Sequence, residues 1–314
     1  MSATAERFRH EALLYADHEE FLAGCVPFIR GGLAAGEPVL VVESEGRTKL
    51  LRDALGADVE RVGWADMNAV GANPARIIPA WKEFVERHGS GGRRLRGIGE
   101  PIWSERSSDE LVECQRHESL LNIAFGEGQA WWLLCPYDTS NLDASVIEEA
   151  RRSHEYVIDM RGPSGASVSF RDNQASGPAF DAAMPDPEDL RLLMRFDRES
   201  LLSLRGHVAR QAIAAGLRAE SATEFVTAVN EVATNSVLHG GGGGTLRVWR
   251  PLGSVVCEVL DTGHYPSQLA DRSRPGEDAG DPRGLWVANQ LCDLVQVRSL
   301  AGGTAVRLHM KVAR

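Results

Sequence analysis

Residues Glu224 to Gly244 read EFVTAVNEVATNSVLHGGGGG, and this stretch decides how the C-terminal half folds. Phe225, Val229, Val232 and Ser236, with Val226, Ala233 and Val237 beside them, recur at three- and four-residue spacing, which predicts a helix with a buried face. Glu231, Asn235 and His239 are each four residues apart and stack along one side of it. A pure core helix does not put a carboxylate, a carboxamide and an imidazole in one row. Five consecutive glycines follow and cannot continue the helix, since each costs about 1 kcal/mol against alanine there. A polar row beside a glycine loop predicts a site for a nucleotide phosphate and its metal. The chemistry is expected on the helix, at Glu231 and Asn235, with Gly241 to Gly244 as a flexible link to the next strand.

Three later pieces extend the pattern. In LDTGHYP (Leu260–Pro266), Asp261 ends an apolar strand and Gly263 follows. A carboxylate there can accept a hydrogen bond from an exocyclic amine, and the glycine lets the backbone approach a flat ring. DPRGLWVANQLCD (Asp281–Asp293) enters a helix at Arg283-Gly284, whose N-terminus offers N–H groups to an anion. Gly302-Gly303-Thr304 opens the last strand. Singly each is an ordinary turn or cap; their order and spacing make the signal. LRLLMRF (Leu190–Phe196) predicts a strand and Arg198–Leu217 a helix. TLRVWRP, SVVCEVLD, LVQVRSL and GGTAVRLHM predict four strands, with a helix at Leu285–Leu291. The expected result is a mixed sheet with helices on one face.

Glu231-x3-Asn235, Asp261-x-Gly263, Arg283-Gly284-Leu285 and Gly302-Gly303-Thr304 resemble, in order, the N box, two glycine boxes and final GGT of the GHKL ATPase superfamily. NEVATNSVLHG and GLWVANQLCD resemble the anti-sigma-factor serine/threonine kinases of bacterial partner-switching systems. The resemblance covers Leu190 to Arg314 and implies a Bergerat-type (GHKL) α/β sandwich that binds ATP and Mg²⁺. It implies Glu231 as general base and Asn235 as the Mg²⁺ ligand. Asp261 would receive the adenine amino group, with Gly263 beneath the ring and Thr304 supporting it through water. Arg283 and Gly284 would sit by the phosphates at the lid end, with His239 and Gly240 in a structural or phosphate-proximal role. The implied function is a bacterial anti-sigma regulatory factor that holds a sigma factor and phosphorylates a serine or threonine of a STAS-type antagonist; a homodimer is left open. Two features depart from the family pattern. His264 and Tyr265 stand where a second glycine is usual, and Ser267–Gly280, the expected lid, lacks a glycine run. A non-catalytic partner-binding module and a sensor histidine kinase are the alternative readings. For the latter, His207 in LRGHVARQ reads better as an ordinary helical histidine than as a phosphoacceptor.

The first half alternates strand signals with helical patterns. The strands are GEPVLVVES (Gly36–Ser44), VERVGW (Val59–Trp64), RLRGIGEP (Arg94–Pro101) and AWWLLCPYD (Ala130–Asp138). The helices are Glu11–Leu33, Thr48–Leu55, one opening at Asn73-Pro74, Asp109–Phe125 and Asp143–His154, so a mainly parallel, helix-covered sheet is expected. GLAAGEPVLVVESEG, NPARIIPAW, GIGEPIW, HESLLNIAF and LLCPYD resemble the MEDS sensory domain, over about Phe8 to Val157, which implies a RecA/KaiC-like architecture. SEGRTKLL lies where a phosphate loop would be, but GxxxxGK[ST] is absent, so no working P-loop is expected. His10, Tyr15, Glu100, Trp103, His117, Glu118, Tyr137 and Asp138 fall near strand ends, where open parallel sheets bind ligands; a signal ligand of unknown identity is expected there. Trp131 and Trp132 read as core. His10, His117 and His154 lack local ligand spacing, and a metal there is the weaker reading. The expected domains are a sensory domain at 1–160, a Gly/Ser/Pro/Asp-rich linker at 161–189 with a short edge strand at Ala166–Phe170, and the ATP-binding domain at 190–314.

Composition agrees with this division. At 314 residues, 43% hydrophobic and 25% charged, the chain has the size and make-up of two globular domains. No apolar run nears the roughly 18 residues of a membrane span. MSATAERFRHEALL carries charge where a signal peptide would be apolar, so a cytoplasmic location and no membrane partner are expected. Cys25, Cys114, Cys135, Cys257 and Cys292 are scattered and form no CxxC, which argues for reduced thiols and against a zinc site or a disulfide frame. A net charge of −10 argues against direct nucleic-acid binding, and Arg93, Arg94 and Arg96 read as a solvated loop.

Overall fold

The structure, a computed structural model, describes residues 7–126, 130–171, 180–265, 268–272, 274 and 283–312. Contacts divide the chain into two units, Met1–Gly177 and Pro178–Arg314.

The first unit runs β1 (Arg9–Tyr15), α1 (His18–Ala34), β2 (Val39–Glu43), α2 (Glu45–Leu55), β3 (Gly63–Asp66), α3 (Met67–Val70), α4 (Ile77–His88) and β4 (Leu95–Gly99). It continues with α5 (Ser108–Phe125), β5 (Trp131–Asp138), α6 (Ala144–Ser153), β6 (Tyr156–Asp159) and β7 (Gly165–Ala166). The strands form one sheet in the order β3-β2-β4-β5-β1-β6-β7, parallel except for the β6/β7 pair. Ser107 and Glu110 close a capping box at the start of α5, satisfying two backbone donors at that end.

The pattern at Glu11–Leu33 predicts one helix, but its first part is the strand β1. This strand lies between β5 and β6 and is buried along its length after Arg9. A strand covered on both faces shows no alternation to distinguish it from a buried helix. Asp17 breaks the run, because its side chain accepts from the Glu20 N–H and starts α1 there. Val59–Trp64 is likewise displaced: Gly56–Arg61 is a 3₁₀ helix and the strand begins at Gly63. Beyond α6 the sheet gains β6, which the sequence pattern does not announce, and the short edge strand lies at Gly165–Ala166.

The second unit runs β8 (Leu190–Asp197), α7 (Leu201–Ala214), α8 (Ala219–His239), β9 (Gly243–Trp249), β10 (Ser254–Asp261), α9 (Arg283–Leu291), β11 (Leu294–Leu300) and β12 (Gly303–Lys311). Its sheet has the order β11-β12-β10-β9-β8, and every neighbouring pair is antiparallel, where a mixed sheet was expected. The helix α9 does return the chain parallel to β10, as β11, but β11 lies at the edge and β12 enters between them. Helix α8 packs on β9, β10 and β12 with α7 and α9 beside it. Phe225, Val229, Val232 and Ala233 meet Val255, Cys257, Val259, Val306 and Leu308 there in one apolar layer. The opposite sheet face is charged: Arg307 donates to Glu258 at 2.7 and 3.1 Å, and Arg247 lies 3.0 Å from the same carboxylate. Among the described residues no helix is long and apolar enough to cross a membrane.

Candidate functional site

In the second unit, Asn235, His239, Gly240, Asp261, Gly263 and Thr304 line one cavity of about 380 Å³, together with Val232, His264, Tyr265, Ala270, Leu285 and Val306. Helix α8 and its C-cap supply the first three, the end of β10 and the turn after it the next two, and the start of β12 the last. Thr304 is the register partner of Asp261, so the antiparallel β10/β12 pair alone brings them side by side. Each oxygen of Asp261 has one donor: Ser236 Oγ at 2.6 Å and the Gly263 N–H at 2.8 Å. A carboxylate oxygen can accept more than one bond, so Asp261 keeps acceptor capacity for a ligand. The Thr304 hydroxyl donates to Gly263 O at 2.9 Å, pinning the turn under the cavity.

Close packing fixes the remaining parts. A Cβ at Gly240 would stand 2.6 Å from Asp261 Cγ, and one at Gly284 would stand 2.5 Å from Asn235 Nδ2. Thus α9 begins against the Asn235 side chain, and Arg283 is the first residue of that helix. Glu231 is half-buried one turn before Asn235 on α8 and does not line the cavity, while His239, in the last turn, is exposed. The glycine run departs from a flexible link. Gly243 and Gly244 belong to β9, with Phe196 O and Leu260 O at 2.2 and 2.5 Å from where their Cβ atoms would be. The smallness of these residues lets three strands meet there.

Sequence reasoning missed Ser236, which counted only as a member of the apolar face. It also did not anticipate that Tyr265, at the position of the expected second glycine, hydrogen-bonds Asp271 Oδ1 at 2.9 Å and packs on the core. Of the expected lid, 268–272 and 274 are described, and the rest lies outside the described residues. His207 is a half-buried helical residue whose Nδ1 lies 2.9 Å from Arg210.

In the first unit the candidate residues separate into two groups. Tyr15, Glu100 and Asp138 meet at the C-terminal ends of the strands. The Tyr15 hydroxyl donates to Glu100 at 2.6 Å, and Arg47 donates to Tyr15 Oη at 2.7 Å and to Asp138 at 3.1 Å. Glu43, Ser44, Arg47, Glu100, Trp103 and Asp138 line a cavity of about 480 Å³ there. Burial pushes the Glu100 carboxyl up to about 7, against the opposing pull of Tyr15 and Arg47, and burial raises Glu43 as well. Strand β2 passes into α2 through Ser44 alone, which caps the helix at the Arg47 N–H. Two protonatable carboxyls beside that helix start make it unlike a phosphate cradle.

The second group is His10, Glu118 and His154, joined by Cys135, and Tyr137 packs edge-on to His154 at 5.6 Å. His117 does not join, since adjacent residues of a helix point apart. Burial, then the neighbouring His154, lowers the His10 imidazole to about 4. Trp131 is a core residue, stacked with Phe8 and set edge-on to Phe125, and the half-buried Trp132 donates to Glu11. Arg96 is not part of a solvated loop: it lies on β4 and binds Glu37 and Phe28 O.

Residues 9–155 match the MEDS family, the methanogen/methylotroph DcmR sensory domain, and residues 194–310 match the histidine kinase-like ATPase domain. None of the curated proteins compared with the chain matches it. Among solved structures it is similar to the RsbU and RsbW domains of Rv1364c from Mycobacterium tuberculosis, at 21% identity and a TM-score of 0.31. That likeness covers 39% of this chain and 32% of that one, so the chain spans about a third of its length. The chain therefore carries a MEDS sensory domain followed by a histidine kinase-like, GHKL-like ATPase domain.

Proposed function

We propose that this protein is a cytoplasmic bacterial anti-sigma regulatory factor. Its C-terminal domain binds ATP and Mg²⁺, holds a sigma factor and phosphorylates a serine or threonine of a STAS-type antagonist, under control of the N-terminal domain and its signal ligand. The observation that supports this most is the convergence of Asn235, Asp261 and Thr304, from one helix and two strands, on a single largely apolar cavity. A cavity of about 380 Å³ lies within the ordinary range for small-ligand sites, in which few polar groups fix orientation.

The residues present fit the nucleotide. The Asp261 carboxylate offers lone pairs to an exocyclic amine, and Gly263 brings backbone beneath the ring. The Asn235 carboxamide oxygen suits Mg²⁺, which takes few protein ligands and keeps waters and phosphates. When bound, Mg²⁺ supplies charge neutralisation across the phosphate oxygens. Glu231 orients the antagonist hydroxyl and accepts its proton. Arg283 and Gly284, at the start of α9, serve the phosphate end, with His239 and Gly240 closing α8. Phosphorylation places negative charge on the antagonist's contact surface, which releases it and leaves the kinase domain free to hold the sigma factor.

Incubation with γ-labelled ATP and candidate antagonists tests the reading: label is expected on an antagonist serine or threonine. A demonstrated complex in which no antagonist acquires label would sink the kinase assignment. One observation favours a second reading, a non-catalytic partner-binding module. Tyr265 occupies the position of a family glycine and is anchored to Asp271, so the turn beside the base pocket is more filled than the family pattern implies.

A further inference from the structure

His10, Glu118, Cys135 and His154 carry an inference that stands apart from the nucleotide site. They come from β1, α5, β5 and the residue after α6, and all are buried, none more than 2% exposed. One ligand atom from each lies within 4.8 Å of every other. The sheet sets up half of this: His10 pairs with Leu133 across the parallel β1/β5 ladder, so His10 and Cys135 project from the same face. On α5, Glu118 and Asn122 are one turn apart and both reach His10, at 3.1 Å each.

The hydrogen bonds fix which ring nitrogens are bare. Asn122 donates its amide to Ser153 O at 2.7 Å, which turns its oxygen toward His10 Nδ1. His154 Nδ1 lies 2.8 Å from Ala150 O, a group that can only accept. Both Nδ1 atoms are therefore donors, and in the neutral rings this leaves a lone pair on each Nε2. Both Nε2 atoms lie close to the same oxygen, Glu118 Oε2, at 3.1 and 3.3 Å, and Cys135 Sγ lies 3.4 Å from His10 Nε2. Among the described residues, His154 Nε2 and Glu118 Oε1 make no well-formed hydrogen bond, and the ion partners of Glu118 are the two histidines. Acceptors crowded together in a dry core need a cation among them.

We infer that His10, Glu118, Cys135 and His154 form a four-ligand Zn²⁺ site inside the MEDS domain. A single proton would satisfy one histidine–carboxylate contact and leave the other imidazole facing a lone pair; a divalent ion satisfies all four groups. Tetrahedral coordination at about 2.0–2.3 Å puts ligand atoms some 3.3–3.8 Å apart, close to the three contacts of 3.1, 3.3 and 3.4 Å, with the remaining pairs within 4.8 Å. Two neutral imidazoles, one carboxylate and one thiolate leave Zn²⁺ with no net charge, which suits a buried site. Binding displaces the Cys135 thiol proton to solvent as the S–Zn bond forms. Nitrogen, sulfur and oxygen donors in a closed set of four favour Zn²⁺ over Mg²⁺ or Ca²⁺. Each imidazole also has the Nδ1 hydrogen bond that orients a metal-bound histidine.

The test is the zinc content of the full-length chain, purified after loading with Zn²⁺ and dialysis. About one equivalent is expected, falling roughly tenfold in Cys135→Ser and His154→Gln with unchanged far-UV circular dichroism. Wild type that retains no zinc overturns the site and leaves a proton-bridged cluster; zinc retained equally by both variants overturns it as surface binding. Should the variants not fold, the Co²⁺-loaded wild type decides. A thiolate-to-cobalt charge-transfer band with tetrahedral d–d bands is expected, and its absence refutes Cys135 as a ligand.

Discussion

Asp261 in the ATPase domain and Glu118 in the MEDS domain are both carboxylates at the centre of a site, and their neighbours differ in kind. Asp261 is half-exposed, and each of its oxygens accepts from a neutral donor, the Ser236 hydroxyl and the Gly263 N–H. What remains of its acceptor capacity faces a cavity lined mainly by apolar groups. Glu118 is fully buried and lies against two imidazole nitrogens, while its second oxygen makes no well-formed hydrogen bond among the described residues. The first environment suits a flat ligand bearing N–H donors; the second suits a cation. Burial alone would rank Glu118 as the more tightly specified group, but the type of partner is what tells the two ligands apart.

Among substitutions at these two sites, the largest effect is expected at Gly303, beside Asp261. Its φ is +142°, and a Cβ there would stand 1.8 Å from Asp261 O. Gly303→Ala must push β12 off β10, so unfolding measurements should show a loss of about 2–4 kcal/mol, with ATP binding lost as well. Next comes Asp261→Asn, which keeps the shape but weakens the acceptor. Calorimetric titration should show ATP affinity falling by about 1.5–3 kcal/mol, the range for hydrogen bonds to charged groups. Equal affinity would remove Asp261 from base recognition. Asn235→Ala is expected to weaken ATP·Mg²⁺ binding by about tenfold or more and to leave Mg²⁺-free nucleotide binding largely unchanged; equal loss in both titrations would refute the metal role.

A fourth test concerns the Tyr15, Glu100 and Asp138 group at the strand ends of the sensory domain. The folded Glu100 carboxyl sits at about 7, above its ordinary value of 4.5, so the native state holds a proton that the unfolded chain has lost across that interval. Stability contributed by this group is full below about 4.5 and is lost as pH rises through about 7. Glu100→Gln should flatten the decline, by about 1–3 kcal/mol between pH 5 and pH 8 in urea unfolding. The smallest effect is expected from Ser236→Ala, about 1 kcal/mol in stability or ATP affinity, because Asp261 keeps its bond from Gly263.

The ATPase half was legible because its groups lie in short local patterns. A four-residue helical spacing and a strand end followed by a glycine announce Asn235 and Asp261 without tertiary information. Ser236 was not legible: a small polar residue on an apolar helix face looks like filler until β10 is laid against it. Strand β1 was hidden because burial on both sides removes the alternation by which strands are read. Arg96 was grouped with Arg93 and Arg94 by proximity in sequence, while its register on β4 gives it to Glu37. The histidine–glutamate–cysteine group was the least legible. Its members come from four separate elements, so the absence of CxxC spacing said nothing about it; only the parallel pairing of β1 with β5 assembles it.

The bond from Ser236 to Asp261 has one more consequence. Ser236 is the chain neighbour of Asn235, so Asp261 is tied to the same rigid helix that carries the Asn235 carboxamide, and both line the one cavity. The interval between them is set by adjacent positions of one helix and not by a loop. In the proposed ATP complex, the acceptor for the base and the carboxamide for the metal therefore keep a spacing that no loop movement can change.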